Sequence, residues 1–169
     1  MIEGVGSNHP IRSFFSEIVH DSLSARLGLK GVEAIETYLT NMLIKFIHDD
    51  QIYALRNLDG QPLRDVVAML AEGDVCLNAD SFDRERQVHQ HIGDFALFWS
   101  GLYPEYVKRY SNTLLDYRRQ GKESYYVVST FEFGAHCVEA PLFRKLSEEF
   151  DALCLGLHYV RSSLPGLRG

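Results

Sequence analysis

Residues 81–105 read SFDRERQVHQHIGDFALFWSGLYPE, and this stretch decides the fold. Ser81, or Asp80 before it, carries the short oxygen-bearing side chain that accepts from the free amides of a helix start. Asp83 and Glu85 put negative charge into the positive first turn. At about 100° per residue, Val88, Ile92, Phe95, Trp99 and Leu102 fall on one stripe. His89, Gly93, Ala96 and Ser100 make a small-sided flank, where another helix can approach closely. His91, Asp94 and Phe98 make the other flank, and Leu97 points away from the stripe. A helix that is apolar nearly all round sits at the centre of its domain, and Pro104 stops this one. Asp94 therefore faces desolvation and requires a cation or a hydrogen-bond donor, a part that arginines on neighbouring helices could fill.

Outward from this helix, the chain repeats the same pattern. Ser7 or Asn8 caps a first helix with Pro10 in its first turn, and Ile11, Phe14, Phe15, Ile18 and Leu23 recur at helical spacing until Gly28. A second helix from Val32 carries Ile35, Tyr38, Leu39, Met42, Leu43, Phe46 and Ile47. Pro62 opens a short third helix that Gly73 stops. Downstream of Pro104, Tyr106, Val107 and Tyr110 mark further apolar positions. Residues 113–120 form a short helix leading to Gly121, and residues 123–139 read as a helix, although YYVVSTF alone has the β-branched and aromatic content of a strand. Pro141 opens the last helix, whose stripe of Leu142, Leu146, Phe150, Leu153, Leu157 and Val160 ends near Pro165. No convincing strand alternation, internal repeat or long linker interrupts this. The fold class expected is all-α, a single-domain bundle of about six or seven helices over residues 1–169, with 1–6 and 165–169 frayed.

Composition narrows the function classes. A 169-residue chain with 46% hydrophobic and 24% charged residues has the means to bury one core. A net charge of −6 argues against general nucleic-acid binding, which calls for a basic patch. Cys76, Cys137 and Cys154 form no CxxC pair, which fits free thiols in a reducing compartment. MIEGVGSNHP has no secretory pattern, and Phe95–Leu102 is too short to span a bilayer, so the expected location is cytoplasmic, with no membrane partner.

Three carboxylate–histidine pairs stand at helical spacing: Glu17 with His20, His91 with Asp94, and Glu132 with His136. Spacings of three or four put both side chains on one helix face. Glu and Glu-x-x-His groups projecting inward hold di-metal centres in helical bundles, so these six residues are the candidate metal ligands. Only Glu17–His20 matches that motif, and solvent-facing ion pairs are the plainer account of such spacing. A haem would use His20, His91 or His158 as axial ligand; a hydrogen-bonded core histidine is the plainer reading. Trp99, Tyr125 and Tyr126, with Phe131 and Phe133, are candidates for an apolar-ligand pocket or for plain core. Lys108, Arg109, Arg118, Arg119 and Lys122 form a local basic run, read as a solvated helix end, with an acidic partner or a phosphate ligand as the alternative. Nucleophile elbows and nucleotide-binding loops are missing from the sequence.

The residues Gly93, Asp94, Leu97, Phe98, Gly101, Tyr103, Pro104 and Glu105, followed by Tyr125 and Tyr126, resemble the recurring pattern of a group of uncharacterised bacterial all-helical proteins. The resemblance covers about the C-terminal half and implies a soluble bacterial protein; it implies no activity. The function expected is accordingly a binding or interaction protein that self-associates or takes a protein partner, with Tyr103, Tyr106 and Tyr110 as interface tyrosines. The alternatives are a metal-dependent, di-iron-like bundle enzyme and a small apolar-ligand binder.

Overall fold

The structure, a computed structural model, describes residues 10–48, 81–105, 107 and 114–164. These form six α-helices and no strand: α1 (Pro10–His20), α2 (Glu33–His48), α3 (Phe82–Leu102), α4 (Leu114–Ser129), α5 (Ala140–Glu148) and α6 (Phe150–Ser163). A π-helical turn, Asp21–Arg26, extends α1, and a 3-10 turn, Gly134–Val138, precedes α5. The third helix expected after Pro62, the caps at Ser7 or Asn8, Cys76 and the apolar positions Tyr106 and Tyr110 lie outside the described residues. None of the described helices is long and apolar enough to cross a membrane.

The central helix is α3. The Ser81 side chain accepts from the Arg84 amide at 3.1 Å, and the helix stops at Leu102, just before Tyr103-Pro104. At the far end, Arg161 of α6 donates to the Leu102 carbonyl at 2.9 Å and lays its guanidinium over the Tyr103 ring, so a basic side chain finishes the negative end of the dipole. The small flank does what its composition suggests. A Cβ on Gly93 would lie 2.5 Å from the Tyr125 ring of α4, and Ala96 lies against the backbone at Gly121, also on α4. Gly101 admits Leu157 of α6 in the same way. On the other side, Phe46 of α2 meets His91 and Phe98 edge-on. The core therefore wraps α3, with Val88, Ile92, Leu97 and Leu102 fully enclosed.

Three boundaries differ from the sequence reading. Gly121 does not divide two helices: α4 runs through it, because Phe150 packs where a side chain would stand. The helix expected over 123–139 ends at Ser129. There Ser129 Oγ donates to the Tyr126 carbonyl and Thr130 Oγ1 to the Val127 carbonyl, diverting the acceptors that helix continuation would use. Gly134, at φ 56°, then starts the 3-10 turn in a conformation that favours glycine. Finally, the single helix expected after Pro141 is two. Glu149, at φ −93° and ψ 8°, leaves helical geometry between α5 and α6, which lets Phe150 turn fully inward.

Candidate functional site

Asp94 is the centre of a polar cluster inside the bundle. Tyr38 Oη from α2 and Tyr125 Oη from α4 both donate to Asp94 Oδ1, each at 2.6 Å. Gln90, one turn earlier on α3, donates through Nε2 to Tyr38 Oη at 3.3 Å. The dipeptide Gly93-Asp94 explains how this forms. The glycine lets the Tyr125 ring pack directly against the helix backbone, and the neighbouring carboxylate accepts from its hydroxyl. Tyr38 and Phe143 close the cluster edge-on at 5.5 Å between ring centres. Of the two kinds of partner that Asp94 called for, cation or donor, the structure supplies donors: two phenols rather than an arginine, without a second buried charge.

Asp94 as a residue keeps intermediate exposure, but its carboxyl lies deep among protein atoms. Burial pushes that carboxyl up to about 6; the hydroxyls of Tyr125 and Tyr38 and the charge of Lys45 pull the other way and are outweighed. Burial beside Asp94 also holds both phenols well above their usual range, so they remain donors at neutral pH. Chemically, the cluster is a carboxyl group able to change protonation near neutrality while clamped between three helices.

A second arrangement lies at the corner where α4 ends and α5 begins. Arg144 on α5 donates from Nε to Ser129 Oγ at 3.0 Å, and its guanidinium sits 4.7 Å from the centre of the Tyr126 ring. Ser129, Glu132, Cys137, Ala140, Pro141 and Arg144 line an open pocket of about 400 Å³. The 3-10 turn beside it is held to α3 by His136–Asp83 at 3.1 Å and Arg86–Glu139 at 2.7 Å. Those two contacts bring Val138 and Phe133 to the same end of the bundle as Phe82.

The six candidate metal ligands are dispersed. His20 turns from Glu17 to Glu36 of α2, whose carboxylate also accepts from Ser24 at 2.7 Å; that contact raises the His20 pKa. Glu17 faces solvent. His91 packs on Phe46 and Phe95, Asp94 holds the tyrosines, and His136 meets Asp83. Glu132 follows the end of α4, so the shared helix face expected for Glu132 and His136 does not exist. Among the described residues, no three His, Cys, Asp or Glu side chains are grouped to hold a metal ion.

Trp99, Tyr125 and Tyr126 do not line a common pocket. Trp99 packs edge-on or tilted against Phe95, Phe98 and Tyr103, Tyr125 is enclosed in the core, and Tyr126 is half exposed under Arg144. His158, the third haem candidate, is exposed. The basic run is internally matched where it is described: Arg118 and Lys122 both face Asp151, and Arg119 pairs with Glu123. Sequence reasoning missed Tyr38 and Arg144. Tyr38 stood in an apolar stripe, where its hydroxyl went uncounted; a polar tip next to a buried carboxylate was the available signal. Comparison with protein families, curated proteins and solved structures returns no match for this chain.

Proposed function

We propose that the chain is a binding protein that self-associates through the apolar end formed by Phe82, Phe133 and Val138. The supporting observation is their exposure, 70%, 79% and 81% respectively, in segments that the His136–Asp83 and Arg86–Glu139 contacts hold in place. Large apolar side chains grouped in solvent mark interaction surfaces. Burying a phenylalanine is worth about 1.5–3 kcal/mol. The charged groups at this end, Asp83, His136, Arg86 and Glu139, are matched with each other, which leaves the apolar side chains to a second copy; two-fold dimers are the commonest assembly. Light scattering after size exclusion at about 100 μM tests the reading, a concentration at which an association of about −5.5 kcal/mol is half complete. Wild type elutes as a dimer, and Phe82→Ser with Phe133→Ser elutes as a monomer with unchanged circular dichroism. A monomeric wild type defeats the reading.

A further inference from the structure

We propose that the open pocket at the start of α5 binds a small zwitterion, an amino acid with an apolar side chain, between Arg144 and Glu132. The site concerns a small ligand and is argued from Arg144 and Glu132, not from the apolar residues proposed for self-association, although Glu132 and Cys137 adjoin Phe133 and Val138 in the chain. Its two opposite charges line one pocket of about 400 Å³ without pairing with each other. Arg144 is already oriented: Ser129 Oγ takes its Nε, and the Tyr126 ring supports the guanidinium plane. Its two terminal nitrogens make no hydrogen bond to the described residues, so the fork that matches a carboxylate is open. Glu132, exposed and without an ion-pair partner among the described residues, offers the counter-charge for an ammonium group. Ala140 and Pro141 add apolar surface to the same lining; Pro141 brings no backbone donor to it. The geometry thus separates three recognitions, carboxylate, ammonium and side chain, and the arginine's ordering precedes binding, which reduces the entropy lost on association.

Cys137 reports on occupancy because its exposed thiol lies on the pocket lining. Isothermal titration with L-phenylalanine, phenylacetate and phenethylamine dissects the site, since the latter two each lack one charge. Phenylalanine should bind at least about tenfold more tightly than either, about 1.4 kcal/mol. Arg144→Gln should abolish phenylalanine and phenylacetate binding alike. Glu132→Gln, an exposed change that leaves the fold intact, should remove the advantage of phenylalanine over phenylacetate. In parallel, phenylalanine should slow iodoacetamide alkylation of Cys137, followed on its peptide by mass spectrometry. Absence of both heat and protection at about 5 mM, a concentration that would detect an affinity of about −3 kcal/mol, overturns the proposal. So does phenylalanine binding that Glu132→Gln leaves unchanged.

Discussion

Tyr125 and Tyr126 are neighbours in sequence and opposites in the structure. Tyr125 is fully enclosed, its ring on Gly93 and its hydroxyl on Asp94. Tyr126 is 49% exposed and uses its ring face to support Arg144. One step of about 100° around α4 separates a residue that fastens the bundle from one that shapes its surface. The difference teaches that a residue type carries little meaning until the helix face is known: the same phenol is a buried donor on one side and an aromatic platform on the other.

The contrast predicts unequal costs. Tyr125→Ala should lose about 4 kcal/mol in urea unfolding, as large-to-small aromatic changes in cores do. Tyr126→Ala should lose less than about 1 kcal/mol, the scale of an exposed cation–π contact. Equal losses would break the comparison.

Asp94 gives the next effect. Its folded pKa of about 6 lies above the ordinary carboxyl value of 3.8, so the native state binds more protons between the two. The stability linked to this group is therefore complete below the lower value and is lost as pH rises through the higher one. On acidification from pH 7.5 to 4, wild type should gain on Asp94→Asn by on the order of 2 kcal/mol, most of what a shift of about two pKa units carries. Urea midpoints measured across that range check it; parallel profiles for the two proteins would show a carboxyl that titrates like an exposed one.

Gly93→Ala sharpens the comparison at the smallest scale. Alanine favours a helix by about 1 kcal/mol over glycine, yet its Cβ would meet the Tyr125 ring. Overpacking of about 1–3 kcal/mol should outweigh that gain, giving a lower melting temperature. A higher one would mean that α3 and α4 are not closely seated.

Much of the architecture was legible because it rests on local periodicity. The cap at Ser81, the central position of α3 and the close approach on the Gly93 flank all follow from residues within one stretch. The need of Asp94 for donors was legible too, but not their identity, because Tyr38 and Tyr125 arrive from 56 and 31 residues away. The break at Glu149 left no trace in the pattern for a physical reason. The Leu153 amide still reaches the Glu149 carbonyl at 2.9 Å, so Leu146, Phe150 and Leu153 keep helical phase across it. The end of α4 was hidden differently: Ser129 and Thr130 stop the helix through side-chain bonds to carbonyls, which composition does not distinguish from tolerance. The Arg144 pocket depends on that stop and was invisible with it.

Cys154 gives the closed side of this molecule a clock. It is buried on α6, and burial pushes its thiol up to about 12, so almost no thiolate is present at neutral pH. Alkylation at this position has to wait until α6 leaves its neighbours. The rate at which Cys154 acquires a label, set against that of the exposed Cys137 in the same chain, is a direct timing of how often the native bundle opens, read without denaturant and without a mutation.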